Sequence, residues 1–239
     1  MRVLDFCAEA AFRDTRDVDH LAENLELVEE RLAKVLARCG RRREDVTLIA
    51  VSKTFPAEVT IAAYQAGLRE FGENYVQEFE QKAPLLKDLG DARFHLIGHL
   101  QSNKVNKAVP LFDTIQTVDS AKLAERLSRT GKALDVMIEV KLSDEEAKHG
   151  CVPEDVQRLR DQIQSLPGLQ LSGLMTIPPF FDDPEQSRPY FVRLRELGEQ
   201  LGIQGLSMGM SNDFEVAVEE GATHIRLGTV LFGKRSPRK

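Results

Sequence analysis

The sequence predicts an α/β protein, a single (β/α)8 TIM barrel with an extra N-terminal helix. Three observations carry this expectation. Short apolar runs alternate with helix-like stretches along almost the whole chain, the runs number eight, and no Pro/Gly/Ser-rich linker or low-complexity tract divides the 239 residues. Such alternation implies parallel strands joined by right-handed crossovers, and eight units favour closure over an open doubly wound sheet. The expected organisation is an N-terminal segment over 1–17, one barrel over 18–233 and a basic tail over 234–239.

The leading helix is expected over 18–37, where Val18, Leu21, Ala22, Leu25, Val28, Leu32, Val35 and Leu36 recur at helical spacing and Gly40 follows as a stop. Strands are then expected at 46–51, 68–71, 94–97, 114–118, 134–140, 169–175, 205–208 and 223–227, because each is a brief run of apolar residues. The stretches 57–66, 75–86, 120–129, 154–165, 185–201 and 213–220 read as the helices between them. Only Val230-Leu231-Phe232-Gly233 and the tail follow the eighth strand, so no appended β-domain is expected.

A hydrophobic fraction of 42% and a charged fraction of 29% suit a globular chain, and no segment is apolar enough to span a bilayer. The first residues show no apolar run followed by a small-residue cleavage site, so the cytoplasm is the expected location. Cys7, Cys39 and Cys151 are odd in number and lack a CxxC pair, which argues for reduced thiols over a disulfide framework or a zinc site. A net charge of -6 argues against nucleic acid as a partner; Arg41-Arg42-Arg43 and the tail read as solvated surface, since no aromatics interleave with the arginines.

Chemistry is expected where strands end. Lys53 stands just past Leu48-Ile49-Ala50-Val51, at the start of the turn Ser52-Lys53-Thr54-Phe55-Pro56. A lysine held there beside packed wall is partly desolvated, which makes its amine a usable nucleophile toward carbonyls. Snorkelling of the ammonium to water is an equal reading of this segment alone. After the seventh strand, Ser207-Met208-Gly209-Met210-Ser211-Asn212-Asp213 runs into a helix, with Ser211 or Asn212 as a natural N-cap, and Arg226-Leu227-Gly228-Thr229 closes the eighth. Glycine, hydroxyls and free backbone N–H groups there suit a phosphate, with ordinary turn-and-cap chemistry as the rival. Arg226 needs an acceptor, whether carboxylate, ring nitrogen or phosphate. Asn74, after the second strand, adds an amide at the same face. His95 and His99 have no partner at metal spacing, so no metal is expected, and Met175, Met208 and Met210 read as core or pocket lining.

Ala50-Val51-Ser52-Lys53-Thr54, Phe71-Gly72-Glu73-Asn74, His95-Leu96-Ile97-Gly98-His99-Leu100-Gln101-Ser102-Asn103-Lys104, Ser207-Met208-Gly209-Met210-Ser211 and Arg226-Leu227-Gly228-Thr229 together resemble the YggS/PROSC family, the pyridoxal phosphate homeostasis proteins. The resemblance covers roughly 46–233, and residues 1–17 lie outside it. It implies a barrel like that of the alanine racemase N-terminal domain, with pyridoxal phosphate as an internal aldimine on Lys53 and its phosphate on Ser207, Gly228 and Thr229. Asn74, Met208 and Ser211 complete the expected cofactor-binding set. Arg226 would face the pyridine nitrogen and leave it unprotonated, a poor electron sink.

The implied function is to hold, buffer or deliver pyridoxal phosphate in intracellular homeostasis, as a monomer and without catalytic residues or established turnover. Apo-forms of pyridoxal phosphate-dependent enzymes are the implied partners. The alternatives are a racemase-like enzyme that takes its second base from a loop or a partner subunit, and an aldolase that uses Lys53 without the cofactor.

Overall fold

The computed structural model describes residues 20–143, 145 and 149–233. The expected N-terminal segment, with Cys7 and Phe12, and the basic tail lie outside them. Eight parallel strands close into one barrel in sequence order: β1 (Thr47–Val51), β2 (Glu70–Glu73), β3 (Arg93–Leu96), β4 (Thr114–Val118), β5 (Leu134–Glu139), β6 (Leu169–Met175), β7 (Leu206–Met210) and β8 (His224–Leu227). Closure pairs β8 with β1, Ala50 opposite Leu227, so the loops that follow these two strands are neighbours although far apart in sequence.

Helices α1 (Leu21–Cys39), α2 (Ala57–Gln65), α3 (Val76–Lys82), α4 (Val105–Ala108), α5 (Ala121–Ser128), α6 (Val156–Ser165), α7 (Arg188–Leu201), α8 (Phe214–Glu219) and α9 (Thr229–Phe232) surround the barrel. The main core is the layer between strands and helices. Phe79 on α3 lies 4.7 Å from Phe94 and 4.9 Å from Phe112, ring centre to ring centre, and fills the space beside β2 and β3 with aromatic area. The leading helix buries Leu21, Val28, Leu32, Val35 and Leu36 and packs against α8 and α9. Arg31 forks onto Glu215 at 2.9 and 3.2 Å, and the Asn24 amide donates to the Leu231 carbonyl at 2.9 Å, which fixes α1 to the end of the chain. Gly40 ends α1 at φ +66°, the left-handed conformation glycine adopts without strain.

Strands β4 and β6 have the expected bounds, and β2 starts two residues late. Leu68 is claimed by the preceding helix: its N–H donates to the Ala63 carbonyl, so pairing with β1 begins only at Glu70. Helices α4 and α9, each one turn long, were not expected; neither is long enough to show a helical period. Arg41 departs from the solvated-surface reading. Its guanidinium donates to the Val218 and Ala222 carbonyls, both at 2.8 Å, and closes the C-terminal end of α8. Among the described residues no helix is long and apolar enough to cross a membrane.

Candidate functional site at the mouth of the barrel

Lys53 sits half-buried directly after β1, on a loop held from three sides. The buried ammonium of Lys82, on α3, donates to the Ser52 carbonyl at 2.9 Å and the Phe55 carbonyl at 3.1 Å, and pairs with Glu73. The Ser52 hydroxyl donates to the same Glu73 carboxylate at 2.8 Å, and the Ser52 N–H to the Gly72 carbonyl at 3.1 Å. Thr54, whose N–H donates to Glu78, adopts φ +67°. A β-branched residue in the left-handed region is strained and persists only where its surroundings impose it. Lys53 thus stands half-buried on a clamped loop.

Across the β7–β8 seam the two phosphate-like loops are joined. The Ser211 hydroxyl accepts from the Gly228 N–H at 3.2 Å and the Val230 N–H at 3.3 Å. Neither Ser211 nor Asn212 caps α8, contrary to expectation. Asp213 is the cap residue, its carboxylate accepting the Met210 N–H at 2.7 Å, while the Asn212 amide donates to the Phe181 carbonyl at 2.9 Å. Ser211 therefore gathers two backbone N–H groups at one point beside exposed Thr229.

Ser207 and Arg226 lie deeper. Arg226 is fully buried; its Nη1 donates to the Ser207 hydroxyl at 2.7 Å and its Nη2 to the Thr176 carbonyl at 2.9 Å. The Ser207 hydroxyl in turn meets Gln116 Oε1 at 2.7 Å. The Ser207 hydroxyl is thus engaged inside the barrel, by Arg226 on one side and Gln116 on the other. Met208 lies in the core cluster, so any ligand contact it makes comes from its backbone. Burial pushes the Arg226 guanidinium down to about 10, opposed by the charges of Asp213 and Glu139, and it stays cationic at neutral pH.

Asn74, Ile97, Gly98, His99, Glu139, Lys141, Ser143, His149 and Ile177 help line a cavity of about 290 Å3 on the other side of the mouth. Among the described residues, Asn74 Oδ1, Glu139 Oε2 and Ser143 Oγ are buried without a hydrogen-bond partner. Gly98 passes so close to the Asn74 backbone that an added Cβ would lie 2.8 Å from the Asn74 Cα, so only glycine fits there. His99 stacks on His149, ring centres 3.7 Å apart, with Asp119 at 3.6 Å; burial and the neighbouring imidazole lower its pKa. These three side chains bring potential ligand atoms within 4.8 Å of one another, a proximity that spacing in the sequence did not announce. Near-parallel imidazoles, 13° apart, do not converge their in-plane lone pairs on one ion, which keeps the hydrogen-bonding reading of His99 ahead.

Glu139, on β5, is the carboxyl of this wall. Burial raises its carboxyl from 4.5 to about 7, the nearby Asp119 charge adds to the rise, and Arg226 opposes it. Between these pH values the folded state binds the extra proton, so rising pH lowers stability across this window and leaves it unaffected below. Glu139→Gln is expected to be more stable than the wild type by on the order of 3 kcal/mol at pH 8, and by little at pH 4, in urea titrations of the ligand-free protein. Parallel pH profiles for the two proteins would contradict this.

The model of the alanine racemase N-terminal domain family matches residues 17–236. A pyridoxal phosphate homeostasis protein of Aquifex aeolicus is 44% identical over 223 residues, spanning 89% of this chain and 97% of the relative. The chain belongs to the pyridoxal phosphate homeostasis protein family. Among solved structures, PipY of Synechococcus elongatus, with PLP (pyridoxal phosphate) bound, superposes with a TM-score of 0.78 at 41% identity, over 89% of this chain and 100% of that one. Alanine racemase of Corynebacterium glutamicum shares the fold at a TM-score of 0.68 and 17% identity, matching 91% of this chain and 61% of the enzyme.

Within this family member the motif residues Lys53, Asn74, Ser211, Arg226, Gly228 and Thr229 all follow or end strands at one face of the barrel. The side chains that hold them were missed. Lys82 and Glu78 read as one polar face of a helix, and Thr176 acts through its backbone, which leaves no trace in sequence. Gln116 and Glu139 did carry a signal: each is a long polar side chain on a short strand of a closed barrel, fully or nearly buried, and such a residue needs a partner.

Proposed function

We propose that this protein binds pyridoxal phosphate covalently through Lys53, as an internal aldimine, and serves in cytoplasmic pyridoxal phosphate homeostasis as a holder or carrier more than as a catalyst. The observation that carries the reading is the clamped Lys53 loop beside the Ser211–Gly228–Val230 cradle across the β1–β8 seam. The cofactor-bound PipY relative supports the choice of ligand. The residues fit the group: backbone N–H groups for the phosphate, an amine for the aldehyde, a charged donor in Arg226 for the ring nitrogen, and the Asn74 amide beside them.

When bound, pyridoxal phosphate supplies an electrophilic aldehyde and a ring that can accept electron density. Arg226 limits that second use. A guanidinium donates a hydrogen bond to a ring nitrogen without surrendering the proton, so the ring stays a weak acceptor of electrons. The racemase reading draws on Glu139, whose raised pKa suits proton transfer at neutral pH. Racemisation of single amino-acid enantiomers at an enzyme-like rate would favour it over the carrier.

The test is direct. Purified protein incubated with pyridoxal phosphate is expected to absorb in the visible, and borohydride reduction followed by peptide mapping should place the adduct on Lys53. Adduct on any other lysine overturns the site assignment, and a colourless protein without adduct overturns the cofactor.

A further inference from the structure

A file of buried polar side chains crosses the barrel interior. Arg226 (β8) donates to Ser207 (β7) at 2.7 Å, and Ser207 meets Gln116 (β4) at 2.7 Å. Gln116 Nε2 meets His95 Nδ1 (β3) at 3.1 Å, and His95 Nε2 meets Glu70 (β2) at 2.6 Å. Ser207 and Gln116 are wholly buried, and β4 and β7 are not neighbours, so their bond spans the lumen. Apolar side chains fill such barrels without polar atoms to satisfy, so a complete polar file here has a use beyond packing.

The ends of the file dictate its direction. A guanidinium only donates, so the Ser207 oxygen accepts from Arg226 and its hydroxyl proton is left for Gln116 Oε1. With Oε1 accepting, the Gln116 amide nitrogen donates to His95, whose Nδ1 must then be the bare nitrogen of a neutral ring. The His95 proton sits on Nε2 and goes to Glu70, a carboxylate that only accepts. All four bonds point the same way, from the Arg226 cation to the Glu70 carboxylate. Aligned bonds polarise one another, and the Ser207 lone pair presented to Arg226 is strengthened by everything behind it.

Resting on the cofactor reading above, we propose that Gln116 and His95 are positioning residues. Through Ser207 they hold the Arg226 guanidinium as a fixed donor toward the ring nitrogen of bound pyridoxal phosphate, and so make the barrel interior selective for a ring that presents a bare nitrogen there. Neither residue reaches the mouth. Their influence is on orientation: Ser207 and the Thr176 carbonyl pin one nitrogen each of the guanidinium and thereby set its plane.

The experiment compares binding of pyridoxal phosphate with that of its 1-deaza analogue, in which carbon replaces the ring nitrogen, by visible absorbance and equilibrium titration. Wild type is expected to prefer pyridoxal phosphate by about tenfold or more, the worth of a hydrogen bond from a charged donor. Gln116→Met, close in shape but unable to accept from Ser207, should bring that ratio close to one. Ser207→Ala, a smaller change in volume, should do the same and carries the test if Gln116→Met does not fold. His95→Asn keeps an acceptor where Nδ1 stands and should preserve most of the preference, whereas His95→Leu should lose it.

A merely structural role would weaken both ligands alike and leave the ratio untouched. An unchanged ratio in both Gln116→Met and Ser207→Ala overturns the proposal. Failure of wild type to bind pyridoxal phosphate at all would instead overturn the reading beneath it, and the positioning role with it.

Discussion

Lys53→Ala is expected to abolish the borohydride-fixable adduct and the visible absorbance of bound pyridoxal phosphate while leaving weaker, non-covalent binding. The loss follows from chemistry: Lys82, which lies against the same loop, is occupied with the Ser52 and Phe55 carbonyls and Glu73. The residual binding follows from geometry. The Gly228 and Val230 N–H groups gathered at Ser211 and the Arg226 cation are set by other strands and survive the substitution. Affinity should fall by about tenfold to a thousandfold, the removal of one covalent anchor from a site that keeps its charged and backbone contacts. Intrinsic fluorescence is weak in a chain with three tyrosines and no tryptophan, so calorimetric titration is the measurement of choice. Equal affinity of variant and wild type would show that Lys53 takes no part, and adduct formation on the variant would move the aldehyde to another amine.

Much of this site was legible because its chemistry sits at strand ends. Lys53 follows four aliphatic residues, and Arg226-Leu227-Gly228-Thr229 ends β8, so a closed barrel with β1 beside β8 was enough to bring them together. What stayed hidden depends on partners distant in sequence. The left-handed conformation of Thr54 accompanies a hydrogen bond from its N–H to Glu78, and nothing in Ser52-Lys53-Thr54 predicts it. The hydrogen bonds of Ser207 depend on Gln116, on the far side of the lumen, and a serine after an apolar residue gives no sign of such a partner. Gln116 itself could have been noticed, as the one amide in Thr114-Ile115-Gln116-Thr117-Val118, a strand buried throughout. His95 between Phe94 and Leu96 and Glu139 between Ile138 and Val140 carry the same mark.

Lys82→Met should destabilise the fold by about 3–5 kcal/mol at neutral pH, because it leaves the Glu73 carboxylate buried without its counter-charge. Glu73 is wholly buried, and burial already raises its pKa against the pull of Lys82; without the ammonium it rises further. The sign of the pH dependence follows. A carboxyl whose folded pKa is raised destabilises progressively as pH climbs from the ordinary carboxylate value through the raised one, so the deficit should shrink toward pH 4 and be fully present at pH 8. Urea titrations at both pH values measure it, and Glu73→Gln in the Lys82→Met background should recover part of the loss by removing the stranded charge. A deficit under about 1 kcal/mol at pH 8 would mean that water or a rearranged loop satisfies Glu73 and that the pair is dispensable. The same substitution frees the Ser52 and Phe55 carbonyls that flank Lys53, so borohydride trapping of pyridoxal phosphate should slow even in the fraction that remains folded. Stability and adduct formation are thus expected to be coupled through one ammonium: the side chain that pairs with Glu73 also holds the Ser52 and Phe55 carbonyls on either side of Lys53.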